Sequence, residues 1–231
     1  MTDTQGADRR APNERIFEVP GAGPVSSLLV RPAGARVGLV LAHGAGAGMR
    51  HSYMTALSVR LASFGVATFR YQFPYMEAGG RRPDPPEIAV ATVRAAVEEA
   101  AREMAGLPLV AGGKSFGGRM TSTAAAEAPL PLVRGLAFFG FPLHPPEEPG
   151  IGRAEHLARV TVPMLFLQGT RDELAQLPLL EPVVKGLGPR ATLHLVEGAD
   201  HSFGVLRKSG RNASDVLDEL SGTFSEWAAT L

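Results

Sequence analysis

The chain has no cysteine. That excludes a disulfide framework, a thiol nucleophile and any thiolate-held metal or cluster, and it fits a reducing, cytoplasmic setting. Charge of a prevailing sign is also missing: Lys and Arg together number 23, as do Asp and Glu, so the formal net charge is zero. Without a net field nothing draws the protein to nucleic acid or to an anionic membrane, and neither is expected as a partner. Long hydrophobic runs are absent too. The apolar stretches are short, bounded by Gly, Pro or Arg, and fall below the roughly 18 residues of a spanning helix. Residues 1–13 are polar, with Arg9 and Arg10, and lack the apolar stretch of a secretory signal. They are expected to form a flexible N-terminus.

What is present is globular: 231 residues, 45% hydrophobic and 20% charged, enough for one α/β domain over 14–231 around one core. Short apolar runs alternate with longer segments of helical period, the pattern of a mostly parallel sheet covered by helices on both faces. Eight strands are expected near Ile16–Val19, Val25–Val30, Val37–Ala42, Val66–Arg70, Leu109–Gly112, Gly135–Phe139, Met164–Leu167 and Thr192–Val196. Val90, Val93, Val97, Ala101 and Met104 recur at three- and four-residue steps, so Glu87–Met104 reads as a helix with one core-facing stripe. Leu217, Leu220, Phe224, Trp227 and Leu231 repeat that pattern at the end of the chain, and both stripes read as core. Tyr71–Pro86 and Phe141–Gly152 are proline-rich and read as loops. The second is too short to carry a lid domain, so an open pocket is expected.

Gly113-Lys114-Ser115-Phe116-Gly117-Gly118 contains Gly-x-Ser-x-Gly directly after the apolar run Leu109-Val110-Ala111 and before the helix-like Arg119–Glu127. A bare match to so short a pattern is weak; the strand-turn-helix setting gives it mechanical meaning. A serine on that turn needs neighbours without a Cβ, and it stands beside the free amides of a helix N-terminus, where negative charge is favoured. Ser115 is therefore the candidate nucleophile and the Phe116 amide one candidate oxyanion donor. His43-Gly44-Ala45-Gly46-Ala47-Gly48 follows the third strand, and its glycines allow close backbone approach to a substrate oxygen. The second oxyanion donor is expected at Ala45, with Gly46 as the alternative. A glycine-rich turn also begins phosphate sites, but neither segment completes a phosphate-cradling spacing.

A serine needs a base, and the base needs a group that holds it. Of six histidines, His194 falls inside a strand and His156 in a short helix. His43 and His51 flank the oxyanion turn and read as braces of its backbone, and His144 lies in a proline-rich loop. His201 follows the last strand and is the candidate base. Asp172 follows the strand Met164–Leu167 and is the candidate acid, which gives the chain order Ser115, Asp172, His201. Asp200, adjacent to the base, and Glu173 are its rivals, both read as solvated loop carboxylates. Lys114, beside the nucleophile, reads as an ion-pairing or turn-bracing residue rather than as a base.

These segments, together with Gln168-Gly169-Thr170-Arg171-Asp172, Gly198-Ala199-Asp200-His201-Ser202-Phe203 and Phe141-Pro142-Leu143-His144-Pro145-Pro146, resemble the dienelactone-hydrolase-like branch of the α/β-hydrolase superfamily, within its small lidless bacterial group. The likeness spans Val37 to Phe203. It implies the α/β-hydrolase fold and a serine hydrolase acting on an ester or related acyl bond through an acyl-enzyme. Dienelactone hydrolase itself uses a cysteine where this chain has Ser115, and Glu173 stands where similar members have proline. No metal and no cofactor is expected. The expected partner is a small to medium acyl substrate, held in a pocket with Tyr71, Phe73, Tyr75 and His144 in its wall. Acyl transfer or cofactor-free peroxidase chemistry on the same residues, and an interaction protein with an idle fold, are the alternative readings.

Overall fold

The computed structural model of the chain describes residues 13–231. Of the expected flexible N-terminus, residues 1–12 lie outside the described residues; Asn13 already accepts a hydrogen bond from the Leu29 amide at 3.0 Å. Eight strands form one sheet: β1 (Glu14–Val19), β2 (Gly23–Val30), β3 (Val37–Ala42), β4 (Val66–Tyr71), β5 (Leu109–Lys114), β6 (Val133–Phe139), β7 (Met164–Gly169) and β8 (Ala191–Val196). Their order is β1-β2-β4-β3-β5-β6-β7-β8. β1 and β2 pair antiparallel and β2 runs antiparallel to β4, while every pairing from β4 to β8 is parallel.

Among the described residues six helices cover it: α1 (Ser52–Ser63), α2 (Pro74–Glu77), α3 (Pro86–Glu103), α4 (Phe116–Glu127), α5 (Leu177–Gly186) and α6 (Ala213–Ala228). The strand sequences explain why both faces are covered. In β3, Val40 and Ala42 join the core under α3, α4 and α5, whereas Val37, Leu39 and Leu41 join the core under α1 and α6. β7 divides in the same way, with Met164 and Phe166 on one side and Leu165 and Leu167 on the other. A strand buried on both faces is an unbroken apolar run rather than an alternating one. α6 begins on a capping box, Asn212 accepting from the Ser214 and Asp215 amides while the Asp215 carboxylate accepts from the Asn212 amide.

Two expectations need correction. Tyr71–Pro86 is not all loop, because Pro74 opens the short helix α2; its fixed φ suits a first helical turn, where no amide donor is missed. α5 went unforeseen, since it carries Pro178 at its start and Pro182 inside it. Between β6 and β7 stand only a loop and a 3₁₀ segment, Gly152–Arg159, with no lid.

Candidate active site

Parallel strands β3, β5, β7 and the last strand β8 all end at one edge of the sheet, so the loops after them meet there. Ser115 is the single residue between β5 and α4, and its backbone has φ 50° and ψ −117°. A residue with a side chain holds such a conformation only where its surroundings impose it. Here close packing imposes it. A Cβ on Gly113 would lie 2.5 Å from the Ala42 carbonyl oxygen and 2.9 Å from the Gly118 amide, and one on Gly117 would lie 2.5 Å from the His43 carbonyl oxygen. The turn is therefore wedged against the end of β3, and only glycine fits two residues before and two residues after the serine.

His201 lies in the loop after β8. Its Nε2 is 2.9 Å from Ser115 Oγ and its Nδ1 is 2.7 Å from Asp172 Oδ2. An ionised carboxylate only accepts, which puts the imidazole proton on Nδ1 and leaves Nε2 free to accept from the serine hydroxyl. Asp172 is buried, and the chain supplies its donors: the Gln168 side-chain amide bonds Oδ2, and the Leu174 amide bonds Oδ1 at 2.8 Å. Gln168 is itself fixed, accepting from the Phe141 amide at 2.9 Å. The rivals do other work. Asp200 Oδ1 accepts from the Ser202 and Gly204 amides at 2.9 and 2.8 Å and so closes its own loop, while Glu173 is exposed.

The candidate oxyanion donors also come close to the serine. A Cβ on Gly44 would lie 3.8 Å from Ser115 Cβ, so the loop after β3 passes close to Ser115. Among the described residues neither the Ala45 nor the Phe116 amide has a hydrogen-bond partner; Phe116 is the first residue of α4, whose leading amides find no acceptor within the helix. Buried His43 holds the Ala45 loop with both ring nitrogens. Nδ1 donates to the Gly44 carbonyl at 2.7 Å, and Nε2 accepts from the Phe73 amide at 3.1 Å. Burial lowers its pKa to about 4, so the ring is neutral.

A cleft of about 410 Å³ opens onto Ser115 and His201, walled by Ala45, His51, Tyr53, Met54 and Leu174. The expected wall of Tyr71, Phe73, Tyr75 and His144 is corrected: all four are buried, and none lines this cleft. Tyr71 and Phe73 pack in the core beside Phe17 and Phe116. Tyr75 acts from behind, its hydroxyl donating to the Ala45 carbonyl at 2.9 Å. His144 Nδ1 donates to the Pro145 carbonyl at 2.8 Å. Besides the loop of residues 44–47, the wall comes from His51 and the first turn of α1 and from the residue two beyond Asp172. Their signal in the sequence is only adjacency to the oxyanion and acid segments.

Lys114, immediately before Ser115, donates from Nζ to the His201 carbonyl at 2.6 Å and lies 5.4 Å from the centre of the Phe203 ring. Burial lowers its pKa to about 8, opposed in part by Asp172 and Asp200.

Residues 35–229 match the family described as "Alpha/beta hydrolase domain". The fold is shared with an alpha-beta serine hydrolase homologue from Coxiella burnetii: TM-score 0.72, 20% identity, 94% of this chain and 97% of that one covered. It is shared likewise with dienelactone hydrolase from Anabaena variabilis, at TM-score 0.69 and 21% identity over 93% and 97% of the two chains. A serine hydrolase without a lid from Xanthomonas campestris gives TM-score 0.70 and 19% identity over 93% and 94%.

Proposed function

Because the chain belongs to the alpha/beta hydrolase family, we propose that it is a serine hydrolase cleaving an ester or related acyl bond of a small to medium substrate. The observation that carries this reading is the unbroken run of hydrogen bonds from the buried Asp172 carboxylate through His201 to the Ser115 hydroxyl. A serine hydroxyl is a poor nucleophile until a base removes its proton, and that run supplies the base and fixes its tautomer.

In this mechanism Ser115 Oγ attacks the acyl carbon as its proton passes to His201 Nε2. The imidazolium that forms is stabilised by Asp172, and the oxyanion rests on the Ala45 and Phe116 amides. His201 then gives its proton to the leaving oxygen, which departs and leaves Ser115 acylated. A water entering from the open cleft gives a proton to the same nitrogen as it attacks the acyl-enzyme, and His201 returns that proton to Ser115 Oγ as the acid leaves, which restores the starting state. The cleft volume suits a small to medium acyl group.

The test is active-site titration with a serine-directed phosphonate ester, with turnover of a panel of acyl esters beside it. One equivalent of label on Ser115 is expected. Ser115→Ala is expected to lose both labelling and turnover, on the order of 10⁶ in kcat by analogy with a serine protease. Label on another residue, or turnover unchanged in Ser115→Ala, overturns the reading.

A further inference from the structure

The residue next to the nucleophile has a task that neither the sequence pattern nor the hydrolytic steps assign. Lys114 ends β5 with its side chain turned inward, and Nζ meets the backbone carbonyl of His201 at 2.6 Å. The ammonium also lies against the Phe203 ring, two residues beyond the base, and beside Gly140 after β6, where an added Cβ would come within 2.9 Å of Nζ. Gly140 has φ +73°, so both backbone conformation and space keep a side chain out of the amine's place. One side chain thus joins three loops at the sheet edge. Its own backbone leads directly into Ser115, and the atom it holds belongs to His201.

We propose that Lys114, in its protonated form, is a positioning residue that clamps the loop bearing His201 to the turn bearing Ser115. The proposal deepens the hydrolase reading and rests on it. The geometry gives the clamp its reach: from Ser115 to His201 the linkage runs through one peptide bond, one lysine side chain and one hydrogen bond. Asp172 fixes the imidazole from the other side through Nδ1, so His201 is held at its backbone carbonyl and at its ring nitrogen. The base must reach Ser115 Oγ at hydrogen-bond distance, and a displacement of about 1 Å at such a contact costs about a hundredfold in rate.

The charge environment explains why the clamp is conditional on pH. Asp172 and Asp200 face the ammonium and favour its charged form, His201 stands beside it, and His51 and Tyr53 line the same cleft from α1. Burial works against the charge and prevails, bringing the pKa down to about 8. The sign of the stability effect follows. The folded chain holds this proton less tightly than the unfolded chain, so the group makes folding more favourable as pH rises from about 8 towards the ordinary lysine value of 10.5. A lysine that merely braced the fold would be missed on removal. A buried cation kept to place the base is instead a burden on stability at neutral pH, and removing it relieves that burden.

Lys114→Met and Lys114→Arg, compared with wild type for kcat, KM and Tm from pH 6 to 10, test this. The expected result for Lys114→Met is a kcat lowered about 10- to 100-fold with KM within about twofold, and a Tm at pH 7 no lower than wild type. Wild type should lose activity above a midpoint near pH 8, a limb absent from Lys114→Met. Lys114→Arg, charged throughout the range, should recover part of the rate without that limb. A Lys114→Met protein that fails to fold, loses kcat only together with Tm, keeps kcat within about threefold, or retains the alkaline limb marks a structural brace and overturns the clamp. Imidazole NMR of His201 over the same range separates this outcome from failure of the hydrolase reading. If its signals move near pH 8 in wild type but not in Lys114→Met while no Ser115-dependent turnover exists, the hydrolase reading alone falls. If turnover exists and the signals do not move, the clamp alone falls.

Discussion

The turn that carries Ser115 and the loop that carries His201 sit a hydrogen bond apart, yet they are held by different physics. The Ser115 turn is held by volume: Gly113 and Gly117 are pressed against the backbone at the end of β3, and a side chain on Gly112 would run into the Ala137 carbonyl. The base loop is held by polar contacts. Asp172 takes the imidazole, Lys114 takes the His201 carbonyl, and Asp200 gathers the Ser202 and Gly204 amides. Close packing resists any added atom, whereas hydrogen bonds are lost one at a time. Substitutions in the turn should therefore damage the fold, and those around the loop should damage chemistry in a protein that still folds.

The widest separation between the two regions is expected from Asp172→Asn. The amide retains the shape of the carboxylate but favours the wrong imidazole tautomer, so kcat should fall by up to about 10⁴. Thermal unfolding should show the protein still folded; a collapse of Tm in parallel with kcat would erase the contrast. On the other side, Gly113→Ala pushes a methyl group into the Ala42 carbonyl and the Gly118 amide. A loss of about 3 kcal/mol in urea unfolding is expected, and a variant of wild-type stability would show that the turn has room after all.

The pH dependence of folding probes the brace behind the oxyanion loop. His43 and His156 both have pKa values lowered to about 4, chiefly by burial, from 6.5 when unfolded. Below 6.5 the unfolded chain takes up protons that the folded chain refuses, so stability should fall as pH drops from 6.5 towards 4. His43→Asn, measured by urea unfolding at pH 7 and pH 4.5, should shallow that slope, leaving the share due to His156. An unchanged slope would mean that His43 is already charged in the fold. The smallest effect is expected at Asp200→Asn. Its carboxylate hydrogen-bonds its own loop and touches the site only through its charge on Lys114, so kcat should fall less than about tenfold. A collapse there, with Asp172→Asn near wild type, would exchange the acid for its neighbour.

How much of this was legible in the sequence depends on what each residue is buried against. β3 and β7 announce themselves most clearly, because a strand covered on both faces reads as an apolar run, as in Val37–Ala42 and Met164–Leu167, whereas β1 mixes charged with buried residues. The residues that meet at the sheet edge were legible as well, since Ser115 directly follows β5 and Asp172 and His201 stand in the loops just after β7 and β8. α5 was not, because Pro182 argues locally against a helix that the core contacts of Leu180 and Val184 nevertheless fix. The cleft wall was misread for a related reason. Tyr71, Phe73 and Tyr75 stand in a proline-rich stretch near the site, and an aromatic residue there looks the same whether it faces substrate or core. The alternation that would tell them apart is lost once β4 has ended at Tyr71.

Leu174 divides its duties between its backbone and its side chain. The amide donates to Asp172 Oδ1, the carbonyl accepts from His144, and the residue also lines the cleft. What steadies the acid is thus common to every amino acid except proline, while the side chain is free to vary. Replacing Leu174 by any residue but proline would therefore reshape the cleft while leaving the carboxylate next door with the same donor.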